Sequence, residues 1–487
     1  MLVISLSRVL QFLLLLLTLR LSTEFLTPVD IGMISLVTST VGLFALFLIN
    51  PIGMYVNRRL YDWIMQGAIY KYLKMYWAFL FSVNIIAALA IYLLNIFDIW
   101  KPNIQIGFFI LIICGNLTFT TVNHLYMSMI NMMGRIGWFA GLTVATFGVS
   151  LLTAVVLIHL ITPNAQYWLI GLLFGQLLIG VLGRYIFVYK INYLEIDNSV
   201  AIRLNLSSIN RVISYAWPIA IAVALGWMQS QGYRYVMEYK ISLVELGIFV
   251  AGFGISVGLM SGVETILNNY FQPIFYSKIS QEKDDGINIG WVEYMECMLP
   301  PLWLTTVFII LMAPVLTQIL LGENFVGSRD FIVWGAISEF GRVATAAVGM
   351  ASHARMKTIY LITPNLVGAV FASILLVPMI NQYGSIGVGM TLVMASFLSF
   401  FTSIIVTKRY LDMIPSPKII YHSFVYSVSI VILWIIVSSL VDYKDSKISG
   451  LVHLLLVGLF YLFFLYLLLK GKVRSKLVGG YIIKKTA

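Results

Sequence analysis

The sequence predicts an all-α integral membrane protein with about fourteen transmembrane helices: two parallel-repeat six-helix bundles plus two C-terminal helices. Three observations lead there. First, hydrophobic residues make up 60% of the 487 positions and charged residues 10%, against roughly 45–50% and 25% in an ordinary globular protein. Mean hydropathy is +0.94. So few charges cannot cover a soluble protein of this length, so most of its surface must face something other than water. Second, apolar runs near 20 residues recur along the whole chain, the length needed to cross about 30 Å of hydrocarbon at 1.5 Å per residue. Third, a short motif after the first run returns after the seventh. The two cysteines, Cys114 and Cys297, lie in or beside apolar runs and exclude a disulfide scaffold. The high hydropathy excludes a disordered chain.

In order, the first apolar run is 2–22. It contains Arg8, and Ser22-Thr23-Glu24-Phe25 offers no small-x-small cleavage site, so it reads as a retained helix rather than a signal peptide. The run 31–50 stops at Pro51 before a basic stretch, 51–75. Four runs follow at short spacing, 76–97, 105–128, 137–160 and 167–189, and the polar stretch 190–211 closes the first bundle. The second bundle comprises 212–235, 247–273, 298–320, 329–352, 358–380 and 386–406. The runs 420–440 and 450–470 and a basic tail complete the chain. The domain division is therefore 1–200, 201–410 and 411–487.

The net charge of +11 reads as topology. With the N-terminus inside, inner loops and tail hold 22 of the 31 basic residues, among them Arg58, Arg59, Lys71, Lys74, Lys408 and Arg409. The outer loops hold six, and Arg8, Arg20 and Arg342 lie within spans. By the positive-inside rule both termini are cytoplasmic, and the positive excess favours anionic headgroups of a phospholipid bilayer, with no nucleic acid required. The longest inner stretches, 51–75, 190–211 and 274–297, are too short to fold as soluble domains. There is no Walker A sequence, HExxH or CxxC, so an ATP-driven pump would need a separate subunit and no metal or cofactor site is expected.

The repeat pairs Leu26-Thr27-Pro28-Val29-Asp30-Ile31-Gly32 with Ile241-Ser242-Leu243-Val244-Glu245-Leu246-Gly247, an offset of 215 residues. Both copies follow the first helix of a six-helix unit. Six is even, so the two units share one orientation, a plan that in transporters places the substrate path between halves.

Ionisable groups within spans are costly and mark function when they line an interior. Arg8 and Arg20 are twelve residues apart on the first helix, about 18 Å of rise. They form either a ladder of cations for an anionic substrate, or two snorkelling side chains with Arg20 paired to Glu24. Glu339 and Arg342, one turn apart, form either a self-neutralised pair or a pair for which substrate phosphate or a proton competes. Glu264 has no basic residue on its own helix. It either carries a coupling proton or sodium ion or accepts an interhelical hydrogen bond from one of the arginines. Asn116, Asn123 and His124 read first as interhelical hydrogen-bonding groups and second as cavity lining. On the seventh helix Tyr215, Trp217, Trp227, Tyr233 and Tyr235 suit interfacial belts, and their flat rings also suit stacking on sugars.

The pattern resembles the Wzx/PST family of polysaccharide flippases, in the superfamily that includes the MATE exporters and the lipid II flippase MurJ. The residues that carry the resemblance are Arg8 with the 26–32 motif, Tyr215-Ala216-Trp217-Pro218, Arg234 before Val244-Glu245-Leu246-Gly247, Phe271-Gln272-Pro273, Leu320-Leu321-Gly322-Glu323-Asn324-Phe325, Ala354-Arg355-Met356-Lys357-Thr358, Asn365 and Tyr383-Gly384-Ser385-Ile386-Gly387. They cover about residues 1–410. The resemblance implies a non-enzymatic flippase of the bacterial cytoplasmic membrane. It would move undecaprenyl-pyrophosphate-linked oligosaccharide, of O-antigen or capsule type, to the outer leaflet by alternating access driven by an ion gradient. A polysaccharide polymerase and chain-length proteins are the implied partners. Arg8, Arg20, Arg234, Arg342 and Trp227 are the expected substrate contacts, and Glu264 and Glu339 the expected coupling groups. Alternatives are a MurJ-like lipid II flippase, a MATE-like cation-coupled exporter and, further off, a membrane polymerase or ligase. The short outer loops argue against the last.

The orientation has a direct check. In a cysteine-free background, a cysteine replacing Lys444 is expected to react with an impermeant maleimide on intact cells, and one replacing Lys472 only after lysis.

Overall fold

The computed structural model describes residues 2–65, 67, 69–98, 105–191, 206–355, 358–409, 411, 417–441 and 446–483. Every element among them is helical, as expected where no water is present to hydrogen-bond an exposed backbone. Contacts divide the chain into two compact units, Met1–Gly247 and Ile248–Ala487. The repeat-based division at residue 200 rests on the sequence alone, and most of the stretch 190–211 lies outside the described residues.

In the first unit, α1 (Leu2–Phe25) leads through a tight bend into α2 (Pro28–Phe44). Thr27 caps α2, and the Asp30 side chain closes a capping box on it. Asp30 Oδ1 also accepts the backbone N–H of Ala165, at 2.9 Å. One carboxylate thus satisfies orphan donors at the N-termini of α2 and α7 (Ala165–Ile186). α2 passes through one π-helical turn, Ala45–Ile49, into α3 (Asn50–Met65), so the stretch expected to begin an inner loop at residue 51 is helical. Pro51 sits just past the π-helical turn inside a helix that continues through Pro28–Val56, so the lost N–H bond coincides with a local departure from α geometry. α4 (Ile69–Ile96), α5 (Ile106–Met132) and α6 (Ile136–Leu160) follow. Leu80, Val83, Ala87 and Ile91 of α4 pack with Ile112, Ile113 and Leu117 of α5 to form the core.

Between α6 and α7 the backbones nearly touch. A Cβ at Gly171 would lie 2.3 Å from the Ala154 Cα, and one at Gly175 2.3 Å from the Ser150 Cα. In lipid, helices associate through such small-residue contacts, here a Gly-x-x-x-Gly pair, and Thr153 adds a 2.6 Å hydrogen bond to the Gly171 carbonyl. The unit ends with α8 (Leu206–Gln231), α9 (Tyr233–Lys240) and the first turn of α10 (Leu243–Leu320).

The two copies of the repeat meet there reciprocally. A Cβ on Gly32 would lie 2.4 Å from the carbonyl oxygen of Leu243, and one on Gly247 would lie 1.8 Å from that of Pro28. Leu243 and Pro28 are themselves repeat equivalents, at the same 215-residue offset. The contact is a local two-fold, and it leaves no room for a side chain at either glycine.

In the second unit α10 is helical over 78 residues, yet Lys278 pairs with Glu293 and Tyr294 donates to Asn268 across the bend. It therefore doubles back as two spans, Leu243–Ile279 and Ile287–Leu320. The stretch 274–297, expected as a loop, belongs to this helical run. Next come α11 (Arg329–Ala354) and α12 (Ile362–Thr407). Among the described residues, thirteen helices are long and apolar enough to cross a membrane. The segment Ile359–Thr407 has 49 residues, over twice the length one crossing needs, and its backbone breaks at Gly384 (φ 58°, ψ −138°), a region essentially reserved for glycine. Counting its two arms separately gives fourteen crossings. α13 (Pro417–Leu440) and α14 (Lys447–Ile483) complete the unit. Tyr461 of α14 stacks on Phe308 at 4.5 Å and shares a 2.8 Å hydrogen bond with Thr305.

The repeat contact can be tested by thermal unfolding in detergent. Gly247→Ala is expected to cost about 1–3 kcal/mol through overpacking. Gly254→Ala, where an added Cβ meets nothing within 4 Å, is expected to leave Tm unchanged or raise it.

Candidate functional site

The densest ionic cluster described inside the spans belongs to the second unit. Arg342 lies near the middle of α11, roughly 20 Å from its start by helix rise. Its Nε donates to Glu339 Oε2 at 2.8 Å, and its Nη2 donates to Glu264 Oε2 at 3.0 Å. The first bond joins neighbours on one helix turn, and the second joins α11 to the first arm of α10. One guanidinium is thus shared by two carboxylates. Glu339 is buried, at 5% exposure, whereas the Arg342 side chain keeps 39%. Glu264 accepts an interhelical hydrogen bond from an arginine, as one of its two readings expects. Trp303 meets Phe340 edge-to-face at 5.3 Å, so the residue before Gly341 and Arg342 carries an aromatic contact on the same stretch of α11.

In the first unit a second polar cluster fastens α8 and α9 to α2. Arg234 Nη1 donates to the Ser35 carbonyl at 3.0 Å and to Ser39 Oγ at 2.9 Å. Trp227 Nε1 donates to the Ser39 carbonyl at 3.0 Å, and the Thr40 hydroxyl lies 2.8 Å from that of Tyr235. The helix propensity of α2 is ordinary. What qualifies it for this role is the hydroxyl run Ser35, Thr38, Ser39 and Thr40 on consecutive turns. Arg234 and Trp227, expected as substrate contacts, therefore spend at least part of their hydrogen-bonding capacity on α2.

The remaining sequence candidates are scattered. Arg8 is exposed near the start of α1, donates to Gln11 at 3.0 Å and lies 5.9 Å from the Phe139 ring centroid. Arg20 is paired with Glu24 one turn on, as the structural reading of that residue expects. Asn123 is buried and ties α5 to α6 and α7 through Thr146 Oγ1 (3.1 Å) and the Gln176 carbonyl (3.3 Å). Asn116 accepts from Thr120 on its own helix, and His124 is exposed. The structure thus brings Glu264, Glu339 and Arg342 together, and separately Trp227 and Arg234. Within the first unit it does not gather Arg8, Arg20 or the α5 residues to the Trp227–Arg234 cluster. Sequence reasoning missed Ser35, Ser39, Gln11 and Asn268 as partners. The hydroxyl run on α2 was the available signal for the first two.

No family model matches the chain, and no curated protein matches it. Solved structures do. The fold is similar to that of lipid II flippase MurJ in an inward closed conformation, with TM-score 0.64 and 13% identity over 97% of this chain and 99% of that one. It is also similar to a Vibrio cholerae MATE transporter, with TM-score 0.53 and 12% identity over 83% of this chain and 95% of that one. An inward-facing multidrug resistance MATE transporter gives TM-score 0.51 and 13% identity over 84% of this chain and 94% of that one. At such identities the likeness is one of fold. The MurJ match exceeds the MATE matches by a share of the chain comparable to α13 and α14 together.

The shared guanidinium makes a prediction about stability. Arg342→Gln leaves the buried Glu339 without its cation and is expected to cost about 1–3 kcal/mol. Glu339→Gln in that background is expected to recover part of the loss, a coupling of at least about 0.5 kcal/mol in a double-mutant cycle read by denaturation in detergent.

Proposed function

We propose that the chain is a lipid flippase of the bacterial cytoplasmic membrane, moving an oligosaccharide carried on undecaprenyl pyrophosphate from the inner to the outer leaflet by ion-coupled alternating access. The observation that carries this reading is fold similarity to a lipid II flippase along nearly the whole chain, the last two helices included in extent. The chemistry of the described residues supports it. A pyrophosphate needs cations inside the membrane, and Arg342 offers one that keeps substantial exposure.

The Arg342 cluster also supplies a coupling device. With both carboxylates ionised it holds two negative charges against one positive. When a proton or sodium ion loads Glu264, which is 17% exposed, that carboxylate loses much of its hold on Arg342 Nη2. The freed donors then suit a phosphate oxygen, for which guanidinium is a bidentate partner. When the anion leaves, Arg342 returns to Glu264 and the coupling ion is released. Cation and anion thus compete for one side chain, which links their movements. The same excess of carboxylate favours a second reading, a MATE-like cation-coupled exporter.

Reconstituted vesicles distinguish the two. The wild-type protein is expected to move a labelled undecaprenyl-pyrophosphate oligosaccharide between leaflets, and Arg342→Ala to slow it at least about tenfold, the worth of one charge-assisted hydrogen bond. Arg342→Lys is expected to retain part of the rate. Full rates in Arg342→Ala, or movement of organic cations in place of the lipid, would overturn the flippase reading.

A further inference from the structure

Away from both clusters, the first unit has an open cavity of about 420 Å³ at the ends of three helices. Lys74 and Trp77 from the start of α4, Tyr126 from late in α5, and Arg184 and Phe187 from the end of α7 line it. All three helix ends belong to the side that the distribution of basic residues assigns to the cytoplasm. Lys74 and Arg184 are exposed. Neither has an acidic partner among the described residues, whereas Arg20, Lys278 and Arg342 each do. Arg184 in the last turn of α7 has some favour from the helix dipole. Lys74, in the second turn of α4, has none, because a helix start is the positive end. The walls beneath the two cations are apolar and aromatic: Phe187 is fully buried and Tyr126 nearly so.

Two cations with no acidic partner among the described residues, above an aromatic wall at the inner end of the helices, complement a headgroup that is anionic at its tip and apolar below. The volume decides the size of the occupant. At about 420 Å³ the cavity has room for a glycerophosphate headgroup, and its open side lets acyl chains continue outward. We propose that this cavity binds the phosphate headgroup of an anionic phospholipid of the cytoplasmic leaflet, with Lys74 and Arg184 on the phosphodiester and the first acyl carbons against Trp77 and Phe187. Basic pockets between transmembrane helices on the cytoplasmic side recognise anionic lipids on these terms. The site is independent of the transport cycle and stands even if the substrate is something else.

Native mass spectrometry of the full-length protein in detergent tests it, with phosphatidylglycerol or phosphatidylcholine added. The wild type is expected to retain phosphatidylglycerol at least about tenfold better than phosphatidylcholine. Lys74→Gln/Arg184→Gln is expected to lose about thirtyfold of that retention, at roughly a factor of five per basic group. The charge-preserving pair Lys74→Arg/Arg184→Lys should keep most of it and so controls for misfolding. Lys408→Gln/Arg409→Gln, which removes two exposed cations of the second unit, should leave it unchanged. The proposal is overturned by undiminished retention in the Lys74/Arg184 glutamine pair, by an equal loss in the Lys408/Arg409 pair, by equal retention of phosphatidylcholine, or by displacement of the lipid by millimolar inorganic phosphate, which would make the ligand a free anion.

Discussion

The hydrocarbon interior offers a polar group no partner, and most of this structure follows from that. The backbone answers by being helical through every crossing, even where charged sequence suggests a loop. Hydroxyls answer by bonding back one turn: Ser39 to the Ser35 carbonyl, Thr146 to Leu142, Thr305 to Pro301. Several of the same side chains also receive or make a bond to another helix, as Ser39 does with Arg234 and Thr305 with Tyr461. Charges have fewer solutions. Arg342 cannot be left alone at mid-depth, and neither can Glu339 or Glu264, so the three converge. Because lipid is as apolar as leucine, hydrophobicity does not hold helices together. Close backbone approach does, and the glycines at 32, 171, 175 and 247 are among the places where it occurs.

Seen this way, the parts that the sequence made legible are those governed by local rules. The crossings follow from apolar length, and the Glu339–Arg342 pair from its spacing of three. The 26–32 and 241–247 motifs correctly marked a special place, though their direct contact could not be foreseen from matching residues. Boundaries failed where two local rules conflict. Pro51 reads as a stop but sits just after a π-helical turn in a helix that continues past it, and the 274–297 stretch is charged yet stays helical around a bend. The partners of Arg234 and Arg342 lie 199 and 78 residues away in sequence. No spacing rule reaches that far, so Ser35 becomes visible as a partner, and Arg342 as the arginine that Glu264 serves, only once the helices are packed.

The two clusters differ in what they leave free. Around α2, Trp227, Arg234 and Tyr235 are anchored to hydroxyls and carbonyls, neutral acceptors whose bonds do not depend on ionisation. Around Arg342 the acceptors are carboxylates, so the strength of the cluster depends on how many of them carry charge. A neutral clamp suits an element that keeps its place. An ionic one, with one cation for two anions, suits an element whose bonding must change during a cycle.

The break at Gly384 has a consequence for how the protein is made. Its φ of 58° and ψ of −138° turn the chain within one residue, and at Gly387 a Cβ would sit 2.1 Å from the Met379 carbonyl oxygen, so the arms are pressed together immediately beyond the turn. The polar stretch between the arms is only Asn381 to Ser385, too short to wait at the membrane surface while one arm crosses. Emerging from the ribosome, the arm that ends before Gly384 cannot be released into lipid as a finished span, because its own end is already the beginning of the next. The two arms must enter as one object, a preformed helical hairpin about 30 Å deep, whose first stable state in the bilayer is the pair.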